Sequence, residues 1–420
     1  MSGCGSSTAR PDSESLTEIK PVIDESETAA DPVIDPAGDR VFSSEFIQNP
    51  SNQEILAETV AAGGKLSEEI PVWQNMTAER SMDLIYASQF TVDFLPGGYK
   101  YFTIAPDQKL LLIPENVPAP EGLDTDIVIL QAPLDQIYLV ATAAMDYFRQ
   151  LDCMERITLS SQKQSGWYID EAREAMESGS MVYAGKYSAP DYEVILQNGC
   201  DLAIENTMIY HTPEVLEQLR ELGVPYLVEK SSYESEPLGR MEWLKFYAAL
   251  VDQEEEAEAY YRELLEQVEP VLGQEPTGKT VAFFYINSNG AVNVRKSADY
   301  VAKAIEMAGG TYVSFDESEE ENALSTMTIQ METFYANARN ADVLIYNSTI
   351  DGELQTIDQL LMKSSLLEDF KAVQEGNVWC IEKNFYQESL ELGNMILDVH
   401  AILTEDKPND GELHFLHHLP

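Results

Sequence analysis

The segment from Val182 to Lys245 limits most tightly what this chain can fold into. Apolar stretches of strand length alternate there with helical stretches, in the order strand, helix, strand, helix, strand and a long helix, and polar residues gather wherever a strand ends. Strands that alternate with helices build parallel sheets. In an open parallel sheet a ligand sits in the crevice beyond the carboxyl ends of the strands. The working surface is therefore expected at Lys186–Ser188, Asn206–His211 and Lys230–Glu234.

The same pattern extends in both directions. From Met82 onward, alternating apolar residues, the Gly97-Gly98 turn and the run Leu110–Ile113 before Pro114 predict antiparallel strands or a hairpin at a sheet margin. Asp126-IVILQAP reads as a buried strand, Gln136–Leu151 as a helix, and ERITLSS as the next strand, ending in Ser160, Ser161 and Gln162. Trp167–Gly179 reads as an amphipathic helix stopped by its glycine. Pro237 to about Val268 carries apolar residues at helical spacing, enough for one helix of about 45 Å.

Pro270, Gly273, Pro276 and Gly278 end that helix, and a second series of strand, loop and helix begins at Thr280. It continues through a helix at Val301–Ala308, strands in GTYVSF and ADVLIYNS, a helix at Leu366–Gln374, the strand NVWCIEK and a terminal helix at Leu390–Ile402. The expected fold class is α/β: two Rossmann-like lobes with mainly parallel sheets joined by one long helix, a clam that hinges little. Residues 63–236 would form the first lobe, 237–270 the linker helix and 271–420 the second lobe.

Composition narrows the partners. Lys+Arg number 26 and Asp+Glu 73, giving a net charge of −47. Nucleic acid is excluded because phosphate binding requires a basic footprint. Charge of this size keeps a protein soluble and is expected to leave it a monomer. No apolar run approaches the roughly 18 residues of a spanning helix. Residues 1–62 read as an anchor and tether: Met1-Ser2-Gly3-Cys4 resembles the end of a bacterial lipobox, which makes Cys4 a candidate for acylation and would confine membrane contact to a lipid anchor. The apolar signal core that precedes a lipobox is missing, so the chain is expected to begin inside its signal peptide. Gly5–Ala62 is rich in Ser, Thr, Asp, Glu and Pro without a sustained apolar period, interrupted by one short helix expected at Ser51–Ala61. Cys153, Cys200 and Cys380 are far apart and form no CxxC, and they read as small buried hydrophobes.

Four segments carry a family resemblance: PDYEVIL with Glu193 at a helix head, the strand CDLAI opening on Asp201, the helix end ELGVPYLV, and GRMEWLKFYAALVDQEEEAEAYY. From about Arg80 to the C-terminus the chain resembles the substrate-binding proteins of ABC importers, of the class that delivers iron–siderophore, haem or cobalamin. The resemblance implies a class III periplasmic-binding-protein clam outside the cytoplasm, at the cell surface or in the periplasm. It implies a metal chelate as ligand and an ABC permease dimer as partner. It also implies one surface acid per lobe that pairs with basic residues of the permease. Glu214 in HTPEVLEQL, or its neighbour Glu217, matches the first, and Glu332 in TIQMETFYANARNADVLIY the second. Both also suit ordinary solvated first-turn acids, favoured there by the helix dipole.

The ligand residues are read from position. Tyr187, Tyr210, Tyr233, Asn287, Asn347 and Tyr386 each follow an apparent strand, as do Ser160, Ser161, Lys186 and Ser232. Arg240 and Arg295 are the cations best placed to meet a carboxylate or other anion in bidentate fashion. Each has a plainer reading: a tyrosine at a strand end packs across the sheet margin, and Arg240 pairs with Glu236 one turn away. Of the five histidines, His211 is a candidate axial haem ligand, with Tyr210 or Tyr187 opposite. The others lie toward the C-terminus, where HFLHHLP reads as a segment packing on a lobe, so no resident metal or cofactor is expected. GxSxG, HExxH, GxxxxGK[ST] and a helix-opening GxGxxG are all missing, which argues against an enzyme. The competing readings are a solute sensor or adhesin built on the same clam, and a cleft enzyme.

Overall fold

The computed structural model describes residues 70–315, 326–405, 408 and 410–420, together with the short antiparallel pair Val33–Ile34 and Arg40–Val41. Apart from that pair, Cys4, the tether, the helix expected at Ser51–Ala61 and the lobe boundary at residue 63 lie outside the described residues.

The first lobe contains two five-stranded sheets. Arg80–Ser81, Phe90–Phe94, Lys100–Ile104, Gln108–Ile113 and Ile127–Gln131 form one in chain order, antiparallel except that the last two strands run parallel. The expected marginal hairpin is thus part of a sheet of its own. The strand in IVILQAP closes that sheet, with Ile129 exposed, instead of opening the parallel one. The opening strand is Ile137–Leu139, inside the stretch read as helix, and the helix itself is confined to Met145–Gln150. All three residues of Ile137–Leu139 are buried between neighbouring strands, and such a continuous apolar run carries no period that tells strand from helix.

The parallel sheet has the order Val182–Tyr183, Ile157–Ser160, Ile137–Leu139, Leu202–Glu205, Tyr226–Val228. Its alternation follows the pleat. Leu202 and Ile204 face a large central core, whereas Ala203 faces a separate outer core with Ile195, Val215 and Leu219. The helix Asp170–Ser178 stops at Gly179, whose φ of 81° is the left-handed conformation that glycine adopts freely.

The second lobe is one seven-stranded mixed sheet. Thr280–Ile286, Val343–Tyr346 and Val378–Ile381 run parallel at its centre. After Ile286 the chain turns back as a hairpin into Val292–Arg295, where the sequence pattern predicts a loop and a helix. At the far edge Leu416–His418 pairs antiparallel with Val378–Ile381, so the histidine-rich end does pack on this lobe.

Between the sheets runs Pro237–Leu250, buried at every position. The helix expected to continue to Val268 breaks at Val251–Gln253, with Asp252 at φ 60°, and a second helix, Glu254–Val268, packs back on the first. The crossing element is therefore 14 residues, about 21 Å, less than half the expected span. Aspartate tolerates the left-handed conformation. Three glutamates in the next first turn, Glu254 to Glu256, favour a fresh helix start.

Burial of polar residues on the crossing helix requires partners. Glu242 accepts the backbone N–H groups of Ile85, Tyr86 and Ala87 at 2.8 to 3.0 Å and meets Lys245 at 3.0 Å. Gly239 lets that loop approach, since a Cβ there would lie 2.8 Å from the carbonyl oxygen of Tyr86. The central core joins residues of both lobes to this helix: Phe90, Phe102 and Ile204 from the first lobe, Phe283, Ile345 and Val399 from the second, with Trp243 and Tyr247 of the helix in the same core. One shared core gives the lobes little freedom to hinge.

Candidate functional site

Near the strand ends lies a buried polar cluster built from both arginines singled out in the sequence. Arg295 ends the hairpin strand and is 8% exposed; Arg240 lies in the first turns of the crossing helix and is 4% exposed. Arg295 pairs with Asp299 at 3.3 Å and donates to the hydroxyl of Tyr386. Tyr386 also accepts from Asn347 Nδ2 at 3.1 Å. Asn347 is buried, and its Oδ1 caps the short helix Ser348–Asp351. Three predicted residues thus meet at the ends of three different strands.

Arg240 is held differently. Its guanidinium lies 4.8 Å from the ring centre of Tyr300, and Nη2 reaches Ser389 Oγ at 3.5 Å. Its Nε is buried without a hydrogen bond, and no carboxylate lies within ion-pair distance among the described residues. The expected pairing with Glu236 is not made by the side chains; only the Arg240 N–H to Glu236 carbonyl bond of the helix joins them. Burial pushes the carboxyls of both acidic neighbours up: at Asp299 against the pull of Arg295, and at Glu229 against its bond to Ser231 and the charge of Arg240. The cluster thus sets two buried guanidiniums beside carboxyls whose pKa burial raises.

A third cation stands at the end of Tyr226–Val228. Lys230 lies 5.6 Å from the ring of Tyr210 and 5.4 Å from that of Tyr233, and burial lowers its pKa against the opposing charge of Asp107. Tyr210 keeps 48% of its surface exposed, so the aromatic face beside this lysine is open.

Other predicted residues are placed elsewhere or spent on the fold. Ser160 Oγ donates to Gln162 O and accepts from Gln162 N and Trp167 Nε1, which leaves it no free capacity. Ser161 bonds the Val140 carbonyl at 3.4 Å. Lys186 is exposed on the hairpin Gly185–Lys186 with Ala189–Pro190, and Tyr187 in its turn packs against the outer core. Ser232 is half-buried in the turn Ser231–Tyr233. Asn287 Oδ1 accepts from Asn289 and Ala291 and serves the hairpin turn. His211 is exposed at the end of the turn Thr207–His211. Cys153, Cys200 and Cys380 are free, the first and last buried.

Sequence reasoning missed Tyr300, Ser389 and the pairing role of Lys230; nothing in local spacing connects positions so far apart. It also missed that Glu353, Glu382 and His417 bring ligand-type atoms within 4.8 Å of one another. Both His417 ring nitrogens are engaged, Nδ1 with Glu382 at 2.6 Å and Nε2 with the Leu354 carbonyl at 2.7 Å, and Lys383 lies 3.5 Å from Glu353. Ion pairs close that cluster. Two open grooves, of about 630 and 710 Å3, lie along Gln108–Leu110 with Pro225–Tyr226 and along Arg80–Asp83 with Glu254–Arg262, and neither is lined by Arg240 or Arg295.

The surface acids show an internal repeat. Glu214 and Glu332 are each exposed in a helix first turn. Glu332 precedes the strand Val343–Tyr346, whose leading Asp342 accepts the Thr280 N–H at 2.7 Å and so ties the start of the neighbouring strand. In the first lobe the matching tie is made by Asp201, which accepts from Asp135 and Gln136 at 2.8 and 3.0 Å and leads Leu202–Glu205. The helix before that strand is Tyr192–Gln197, and its exposed first-turn acid is Glu193. By structural position the counterpart of Glu332 is Glu193, and Glu214 belongs to the following helix.

Comparison with known proteins agrees with this architecture. Two lipoproteins of Methanocaldococcus jannaschii, themselves uncharacterised, are 26% identical over 335 residues (76% of this chain, 77% of the relative) and 25% identical over 307 residues (69% and 74%). The periplasmic haem-binding protein HutB of Vibrio cholerae shares the fold at a TM-score of 0.53 and 16% identity, over 64% of this chain and 98% of its own. A periplasmic haem-binding protein of Pseudomonas aeruginosa does so at 0.51 and 15%, over 68% and 98%. The two solved structures are binding proteins, not enzymes. With the periplasmic binding protein profile matching residues 159–384, more than half of its length, the chain belongs to the periplasmic binding protein family.

Proposed function

We propose that this protein is an extracytoplasmic solute-binding lipoprotein, anchored through Cys4, that captures an anionic metal chelate between its lobes and hands it to an ABC permease dimer. The observation that carries the reading is Arg240: a buried cation with an unpartnered Nε, stacked on Tyr300 and lacking a carboxylate partner among the described residues. Leaving such a donor dry is costly, and an anionic ligand would satisfy it. Iron–siderophore carboxylates or catecholates and haem propionates suit this cluster as an anion receptor. A corrinoid, whose periphery is mostly amide, uses it less. Tyr210 and Tyr233 beside Lys230 offer aromatic surface to a chelate's flat face. Glu193 and Glu332 would dock the lobes onto the permease, and the molecule would work as a monomer.

Native mass spectrometry and visible absorbance of the protein purified from its host identify any co-purified chelate. Titration with haemin, a ferric catecholate and cyanocobalamin, followed by tryptophan quenching, then ranks the classes. Arg240→Met should weaken the anionic chelate at least tenfold, the scale of one lost charge-assisted hydrogen bond, with cyanocobalamin unaffected. Equal affinity of Arg240→Met and the parent for every probe would remove the receptor. Tight binding without any permease-dependent uptake would favour a solute sensor on the same fold.

A further inference from the structure

The second lobe reaches across to the first through a short segment that the ligand reading does not use. After Val378–Ile381 the chain forms the turn Lys383–Tyr386, and the next four residues meet the first lobe and the crossing helix. Gln387 Oε1 accepts the backbone N–H of Tyr168 at 2.7 Å, and its Nε2 donates to the Gly166 carbonyl at 2.7 Å. Ser389 Oγ receives Arg240, and the Leu390 N–H donates to Asp146 Oδ2 at 2.8 Å. Gln387 is 7% exposed.

Both sides of the Gln387 contact are pre-set. On the first lobe, Trp167 is buried in the central core between the two bonded residues, and its Nε1 is tied to Ser160. On the second lobe, the Gln387 and Glu388 N–H groups both bond the Asn384 carbonyl, while Asn384 Nδ2 and His414 Nε2 both hold the Glu388 carboxylate. A glutamine amide supplies one acceptor and one donor in a plane. It takes the place here of a neighbouring strand's peptide group. Separation of the lobes on this side by about 1 Å would break both bonds and strand a buried amide.

We propose that Tyr386–Leu390 is an interlobe strap and that Gln387 is its latch, holding the lobes in the relative setting that these contacts define. Tyr386, at the head of the strap, is the residue that joins Arg295 to Asn347. Movement of the latch is therefore linked along the backbone to the arginine cluster, whatever occupies it.

Hydrogen exchange on the ligand-free full chain, read by mass spectrometry over the peptide that spans Gln162–Tyr168, tests the latch. Replacing Gln387 by Ala should raise exchange at the Tyr168 amide by about ten- to a hundredfold, the range expected for two lost hydrogen bonds in a buried setting. Peptides covering Leu202–Glu205 and Val343–Tyr346 should keep their parent rates, which shows that the variant is folded. Gln387→Glu keeps the acceptor for Tyr168 but sets a carboxylate against the Gly166 carbonyl, and should fall between parent and Q387A. A spin-label distance measured between the exposed positions 193 and 368 on the two lobes should broaden in Q387A. An exchange rate at Tyr168 that is the same in parent and Q387A overturns the latch, and so does an unchanged distance distribution.

Discussion

Glu205 ends Leu202–Glu205, an inner strand of the parallel sheet, fully buried, with neither carboxylate oxygen hydrogen-bonded. Tyr138, whose hydroxyl is near enough to feel the Glu205 charge, donates to the Gly185 carbonyl instead. Burial raises the carboxyl from 4.5 to about 8. The sign follows from which state binds the proton more tightly. An acid whose pKa is higher in the folded chain contributes stability that is fully present below 4.5 and is lost as pH rises toward 8. At about 1.4 kcal/mol per pH unit the loss approaches about 5 kcal/mol above pH 8, comparable with the whole net stability of many domains.

Glu205→Gln removes the titration but keeps the shape. The amide finds no partner either, at a cost of about 1–3 kcal/mol that does not vary with pH. Urea unfolding of parent and variant from pH 5 to 9, in high salt to screen the net charge of −47, therefore isolates one group. The parent should lose stability relative to Glu205→Gln by several kcal/mol between pH 5 and 8, with the variant the more stable above pH 8. Two parallel curves across that interval would refute the argument, since they would mean that the carboxylate is ionised or solvated in the folded chain.

Two further outcomes follow from the geometry. Reversing Glu193 and Glu332 together to Lys should leave chelate affinity unchanged but cut permease-dependent uptake at least tenfold, with weaker loss as salt is raised; reversal of Glu214 alone, with uptake preserved, would separate the repeat-related pair from its neighbour. Glu242→Gln leaves one acceptor oxygen for three backbone N–H groups, while Lys245 keeps Glu258 at 2.7 Å, so urea unfolding should show a loss of about 1–3 kcal/mol, and an unchanged stability would contradict its anchoring of the Ile85–Ala87 loop.

Much of the architecture is legible in the sequence because it depends on local periodicity. Alternating residues such as Leu202, Ala203 and Ile204 report a strand with two buried faces, Gly179 marks a helix end, and polar clusters after strands mark the crevice side of a parallel sheet. The family resemblance rests on these same segments.

Tertiary structure decided whatever depends on a partner distant in sequence. Ile137–Leu139 becomes a strand because two strands flank it, and the expected long helix breaks at Asp252 because its second half packs back on the first. Ile286 leads into a hairpin, which moves Asn287 out of the crevice and delivers Arg295 into it. Arg240 and Arg295 were legible as cations near strand ends. That one is satisfied by Asp299 and Tyr386 while the other rests on Tyr300 with a bare Nε was not, because charge compensation is a property of three-dimensional neighbours. Residue type and spacing placed cations near the strand ends; packing around the crossing helix determined which of them meet a carboxylate and which do not.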